Sequence, residues 1–357
     1  MTPDTLRQRI QGGEPLIGLD LRMLTLPAGD YAGAIFQRCD LRGLRLAGVD
    51  LRDSQFIECQ LQGSLWDQAR IDACLFDRCD LSQARLRIAR IERMNWHAST
   101  GRDLDLAGAK LLECHFVRCD LGGLRLAGAA LEQGSFTECA VAGIDLSASR
   151  QRGTLYLRAD LRQAALDGID WDGVVAVDSD LSGQRLAGVR LERCQFNDCG
   201  LEGIDLSEAR LTQSGFKGAR LRGARLDGAS AARALFVSAD LGGASGVGLR
   251  APQSLWIDAC LDDANFEGAE LFQAILQRAR CARVRFGGAG LQYADFSYAD
   301  LSGADLRGAR FERTAMHRAL LDAVRWSDRA GVLERDTALF EAELWSAARG
   351  AGADARA

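Results

Sequence analysis

Proline is scarce in this chain, with four in 357 residues, and two of them (Pro3 and Pro15) precede residue 16. Proline-rich linkers and low-complexity spacers are therefore excluded. No apolar run approaches the ~20 residues that cross a bilayer, which argues against a membrane span. The opening stretch "MTPDTLRQRIQGG" has no apolar core, so it is not read as a secretory signal. Charge of one sign is also lacking. A net of −5 is mild for this length and names no class of partner. Histidine is down to three residues, which leaves little for metal or acid–base chemistry.

What is present in quantity is hydrophobic content of 47%, charged content of 26% and 39 glycines, the mark of a folded chain. The glycines are spread along the sequence and do not gather into a linker. Eleven cysteines, an odd number without an export signal, point to a reducing cytoplasm more than to a disulfide framework.

The organising feature is a period of five. In "CDLRGLRLAGVDLRDSQF", Leu41, Leu46, Leu51 and Phe56 recur at a spacing that fits neither an amphipathic helix nor an alternating strand. From Leu16 to Trp326 the frame runs through 63 centres without a slip, and 56 of them are large and apolar. The exceptions are Gly101, Gln151, Ala176, Ala231, Gly246, Ala251 and Cys281. Two residues before most centres lies a small side chain such as Ala34, Cys39, Cys59 or Ala159. Residues two apart share one side of an extended chain, so each pentad turns one large and one small side chain inward. A second period, of twenty, follows from composition. Phe36, Phe56, Phe76, Trp96, Phe116, Phe136 and Tyr156 form one column, and Leu41, Leu61, Leu81, Leu121 and Leu161 belong to another.

The stretches "ANFEGAELFQA", "ADFSYADLSGADLRGARF" and "CDLRGLRLAGVDL" resemble the A(D/N)LXX motif of the pentapeptide repeat family, over 311 of the 357 residues. The resemblance implies an all-β solenoid, a right-handed quadrilateral parallel β-helix of four pentads per coil. About sixteen coils at the ~4.8 Å strand spacing would make a rod roughly 75 Å long, stabilised by stacking of neighbouring coils. The expected layout is an N-terminal cap with a short helix in 1–15, the β-helix in 16–326, a C-terminal helix serving as cap or dimerisation element in 327–350, and a mobile tail in 351–357. Within these, Thr2 and Pro3 predict a helix over 2–11. Leu333, Phe340 and Leu344 predict a second over 332–349, left at Gly350.

Signals for chemistry are weak. Nine cysteines (39, 59, 74, 79, 114, 119, 139, 194 and 199) occupy the small inward position, spaced by fives and twenties and not as C-x-x-C, so they read as buried hydrophobes. His97 and His115 fall on one side in adjacent coils, near Asn95 and Asp77, and read as surface residues ahead of a metal or acid–base pair. The glycine-rich "LGGASGVGLRAP" lacks the GK[ST] ending of a phosphate loop and reads as a thinned, bulged coil. Gln151, a buried amide, marks either a kink or an ordered water. The chain is expected not to be an enzyme, and no cofactor, metal or small-molecule substrate is inferred.

The outward positions carry more. Asp20, Asp40, Asp80, Asp120, Asp160, Asp180, Asp240 and Asp300 line the leucine side. Arg70, Arg90, Lys110, Arg150, Arg190, Arg210, Arg250 and Arg310 line the opposite one, so the solenoid is expected to be polarised across its width. On the aromatic side only Asp77, Lys217 and Asp295 are charged among 28 outward positions. The candidate partner-binding residues lie there: Leu75, Leu155, Leu157, Val175, Val177, Leu235, Val237, Leu255, Ile257 and Ile275. They predict a scaffold that docks a protein partner or a second copy, or that receives the folded-back C-terminal helix.

Two further functions are implied by the resemblance. Some members are dimeric DNA mimics that bind DNA gyrase, which requires a strongly negative surface. Residues 16–326 carry 41 acids and 38 bases, a net of only −3. Others are accessory proteins of bacterial secretion systems, including the type VI machine, where such a solenoid would hold an effector. Direct DNA binding through the basic column is disfavoured by the interleaved Asp145, Asp170 and Asp205.

Overall fold

The computed structural model describes residues 1–66, 68–87 and 89–354, the last eight of these by backbone alone. The chain is a parallel β-solenoid of about 16 turns with a helix near each terminus.

The pentad sets the local structure. The residue two after most centres takes the left-handed conformation, whether glycine (Gly43, φ 65°; Gly48, φ 69°) or not (Asp53, φ 59°; Glu58, φ 54°). One such residue in every five turns the chain through a corner. On turn-built faces the corner closes by a bond from Leu44 N–H to Leu41 C=O (3.1 Å) or Ser54 N–H to Leu51 C=O (3.2 Å). With positive φ at the third position this is type II turn geometry. On both kinds of face the corner amide itself bonds to the next coil, as from Gly43 N–H to Gln62 C=O (2.9 Å) and from Arg38 N–H to Ile57 C=O (2.8 Å).

Two compact units divide the chain, Met1–Asp205 and Leu206–Ala357. In the first, ten strands from Leu16–Ile17 to Gln195–Asn197 stack in parallel and in register, and six more from Arg90–Glu92 to Arg190–Glu192 do the same on another face. The register is a shift of twenty at every step, such as Phe36↔Phe56, Phe116↔Phe136 and Tyr156↔Ala176. In the second unit, single in-register bridges such as Leu235↔Leu255 and Asn265↔Arg285 carry the ladder between turns.

Large centres and their small predecessors fill the interior. Phe36, Phe56 and Phe76 stack at centroid distances of 5.0 and 4.8 Å, and Phe116 and Phe136 at 4.9 Å, all buried. Offset rings at this spacing add to simple burial. The irregular centres are compensated by neighbours. Ala176 removes a ring from the column, and the buried Trp171 lies against Tyr156 at 5.7 Å and 18° in its place. A Cβ on Gly101 would stand 3.1 Å from Trp96 Cζ3, and one on Gly246 only 2.6 Å from Phe266 Cε1. The stretch around Gly246 is therefore not bulged: Gly246 N–H meets Asn265 C=O at 2.7 Å and the turn bond from Leu249 is kept. Gln151 makes no kink either, since it pairs in register with Leu131 and Trp171.

Helix α1, Pro3–Gln11, begins at Thr2, whose hydroxyl accepts the Thr5 amide at 3.2 Å, and it buries Leu6 and Ile10. Helix α2 spans Thr337–Asp354, later than the predicted 332–349. Val332–Leu333 is extended and pairs with Thr314–Ala315, and the Asp336 carboxylate caps the helix through Leu339 N–H (2.9 Å). The predicted stripe consequently splits: Leu333 and Leu344 are exposed, and only Phe340 is half-buried. Of the expected tail, residues 351–354 continue the helix and 355–357 lie outside the described residues.

Candidate interaction surface

The aspartate side is built from a local fork. In "CDLR", Asp40 Oδ1 accepts the Arg42 backbone N–H (3.2 Å) and Nε (2.9 Å), while Oδ2 takes Nη2 (2.6 Å). The same arrangement holds Asp20 with Arg22, Asp160 with Arg162 and Asp305 with Arg307. The guanidinium also reaches the next coil, Arg22 to Asp40 at 3.3 Å and Arg162 to Asp180 at 3.4 Å. These forks hold the Asp40 and Asp160 carboxyls below their ordinary range and bring Asp305 to about 2. Asp120 and Asp240 are met by Arg102 and Arg222. On the opposite side Arg70, Arg90, Arg190 and Arg310 pair with Asp50, Glu92, Asp170 and Glu270. At these positions the expected polarisation across the width is offset by pairing within and between coils.

The histidines are engaged. His97 Nδ1 lies 2.7 Å from Asp77 Oδ1 and its Nε2 2.6 Å from Arg118 Nη2, so both ring nitrogens are occupied. His115 Nδ1 bonds Ser135 Oγ at 2.9 Å. Among the described residues no cluster of three or more His, Cys, Asp or Glu is placed to hold a metal ion, and no helix is long and apolar enough to cross a membrane. None of the eleven cysteines is in a disulfide, and all but the half-exposed Cys260 are buried. Burial pushes the Cys74, Cys114 and Cys194 thiols up to about 12.

The aromatic face carries the candidate partner-binding residues in two separate groups. In the first unit, Leu155–Leu157 and Val175–Val177 are adjacent strands, with Leu155 opposite Val175 and Leu157 opposite Val177. Their middle residues are buried and the four flanking side chains are half-buried, pointing outward. Ser135, Thr137, Gln195 and Asn197 border them in the same sheet. In the second unit, Leu235, Leu255 and Ile275 form a ladder, with Val237 and Ile257 two residues beyond, and Leu235 is 37% exposed. Leu75 joins neither group, since its neighbours in the sheet are Gln55 and Asn95.

In the second unit α2 lies over the C-terminal end of this same face. Phe340 meets His317 edge-on at 6.5 Å, and Arg318 sits over the Phe340 ring at 5.3 Å. Glu343 accepts from Tyr298 Oη, Arg318 Nε and, at 3.4 Å, His317 Nε2, while His317 Nδ1 accepts Asp336 N–H at 3.2 Å. His317 and Ser297 are buried there. Near the C-terminus Leu320 and Trp345, which the sequence analysis does not single out, are exposed, as are Leu333 and Leu344 of the predicted stripe. The usable signal was Leu320, which stands in the column where Asp300 precedes it.

A sequence model for pentapeptide repeats matches eight copies over residues 34–65, 177–213, 216–245 and 285–322. Among curated protein sequences none matches the chain. Among solved structures, QnrB1, a plasmid-mediated fluoroquinolone resistance protein, is 19% identical over 62% of this chain and 97% of its own, with a TM-score of 0.26. HetL, a pentapeptide repeat protein involved in heterocyst differentiation regulation in the cyanobacterium Nostoc sp. strain PCC 7120, is 19% identical over 93% of this chain and 98% of its own, with a TM-score of 0.17. A pentapeptide repeat protein of the Arabidopsis thaliana thylakoid lumen is 26% identical over 36% of this chain and 71% of its own, at a TM-score of 0.18. With inward centres at every fifth residue, coils in register at every twentieth, and the repeat model matching in four segments, this chain belongs to the pentapeptide repeat family.

Proposed function

We propose that this solenoid is a non-catalytic protein-interaction scaffold, docking a protein partner or a second copy on the apolar parts of its aromatic face. The observation that carries the reading is the break in outward polarity. On the other faces the outward positions are largely polar or charged, whereas Leu155, Leu157, Val175 and Val177, and separately Leu235, Val237, Leu255, Ile257 and Ile275, turn apolar side chains to the surface. Contiguous apolar surface on a folded chain marks an interaction site more often than an accident of composition. Leu75, flanked by polar residues, would contribute at most a peripheral contact. The extensive Asp–Arg pairing speaks against DNA mimicry, which needs uncompensated negative charge. An accessory role holding an effector in a secretion system would be a special case of the same scaffold. Buried thiols outside any disulfide suit a reducing compartment, so we place the protein in the cytoplasm.

The test is Leu157→Asp with Val237→Asp, compared with the parent chain by light scattering after size exclusion and by pull-down from lysate. Loss of self-association or of a captured partner, with the β-sheet circular dichroism unchanged, is the expected result. Retention of every association by a folded double variant would overturn the reading.

A further inference from the structure

In coil 141–160 and the coil after it, four polar atoms have no partner among the described residues: Ser149 Oγ, Gln151 Nε2, Thr154 Oγ1 and Trp171 Nε1. All four residues are fully buried. Ser149, Gln151 and Trp171 share one side of two successive coils. Gln151 is in register with Trp171, Tyr156 Oη donates to Gln151 Oε1 at 3.0 Å, and the Trp171 and Tyr156 rings are stacked.

This fold has a regular way of satisfying a tryptophan centre. Trp66 Nε1 donates to Ser64 Oγ at 2.7 Å, and Trp256 Nε1 donates to Ser254 Oγ at 2.7 Å. Each serine then donates to a carbonyl, Leu61 or Ala251. In both cases the serine is two residues before the tryptophan. Two residues before Trp171 stands Ile169, and the serine of that column, Ser149, is one coil lower. Neighbouring coils are about 4.8 Å apart, and Ser149 Oγ makes no bond to the indole one coil on. A spacing of that order is too long for a hydrogen bond, and it suits one water between two bonds of about 2.8 Å each.

We propose that a single water molecule is bound inside the solenoid at this level, accepting from Trp171 Nε1–H and Gln151 Nε2–H and donating to Ser149 Oγ. Three partners is the usual complement of a buried water, and leaving three buried polar groups unmet would cost far more than ordering it. Among the described residues Trp96 Nε1 and Trp326 Nε1 are also without a partner, but Met94 and Val324 stand two residues before them and no unmet polar side chain is in register with either.

The test is a crystal structure of the full chain at a resolution that orders internal water, with Ile169→Ser and Trp171→Phe alongside. The parent should show one peak within about 3.2 Å of Trp171 Nε1, Gln151 Nε2 and Ser149 Oγ. In Ile169→Ser the indole should turn to the new hydroxyl at the distance seen for Trp66, and the peak should lose that contact. Should the variants not crystallise, water-oxygen relaxation dispersion of the parent and of Trp171→Phe in solution counts long-lived internal waters, expected to fall by one. Three well-ordered side chains with no peak between them, or a water count unchanged by Trp171→Phe, would refute the proposal.

Discussion

The aromatic column makes its sharpest prediction where it lapses. Ala176 and Trp171 are five residues apart on successive faces, both fully buried, and the indole takes the space that a ring at 176 would fill. Trp171→Leu restores the usual centre of its face but empties this volume. Truncations of buried aromatic side chains to alanine cost about 3–5 kcal/mol, and the retained leucine atoms should lower this to about 2–3 kcal/mol. Ala176→Phe alone forces a ring into occupied space and should cost about 1–3 kcal/mol. Together the two changes rebuild the aromatic column, with the introduced ring standing between Tyr156 and Phe196, and the double variant should lose less than either single one. The coupling is then about 2 kcal/mol or more, near the upper end for contacting residues. Urea unfolding of the four chains, followed by circular dichroism, reads it directly. Additive losses would refute the claim that Trp171 stands in for the missing ring.

Other predictions follow from the charged and thiol groups. Asp305 is drawn from an ordinary 3.8 to about 2, chiefly by the Arg307 fork. A depressed carboxyl stabilises the fold above its unfolded value, so this contribution is complete above about pH 4 and is lost as pH falls towards 2. Asp305→Asn should flatten the urea midpoint over that interval, and an unaltered acid profile would contradict it. With Cys74, Cys114 and Cys194 pushed up to about 12 by burial, a thiol reagent at mildly alkaline pH should modify the half-exposed Cys260 first, and all eleven only in denaturant. Rapid native labelling of several thiols would count against the packing. Glu343→Gln removes the charge that Arg318 and Tyr298 share and should speed amide exchange across 337–346 several-fold without touching the coils; unchanged exchange would show that Phe340 alone holds α2.

The fold was legible because the pentad acts at short range. The inward pair, two residues apart, and the left-handed residue two after the centre are both fixed by five consecutive residues, and every coil repeats them. The twenty-residue column then sets the register without reference to anything distant. Compensation between faces was not legible. That Trp96 shields Gly101, or that Phe266 keeps Gly246 regular, depends on side chains five to twenty residues away filling one another's space. The helix boundary failed for a related reason: apolar spacing placed Leu333 in α2, but pairing of Val332–Leu333 with Thr314–Ala315 satisfied backbone groups that a helix would have had to satisfy elsewhere.

Charge was the other illegible element, and its resolution bears on function. The sequence sorts Asp and Arg into opposing columns, yet a guanidinium on a long stem reaches back two residues and across one coil. Arg22 bonds both Asp20 and Asp40, and Arg307 and Arg325 both bond Asp305. Exposed pairs of this kind contribute little stability one at a time. Their effect is to bind each corner to its own aspartate and to the coil beside it. Aspartates held this way are part of the repeat and are poor evidence of a partner. The same test applied to the outward apolar residues gives the opposite answer. No repeat constraint calls for an apolar side chain at Leu155 or Leu235, and both stand outside the buried core. In a chain built from one motif, a position that breaks the motif without repairing the core is where selection for a partner would leave its mark, and on this ground we propose the outward apolar residues as the docking surface.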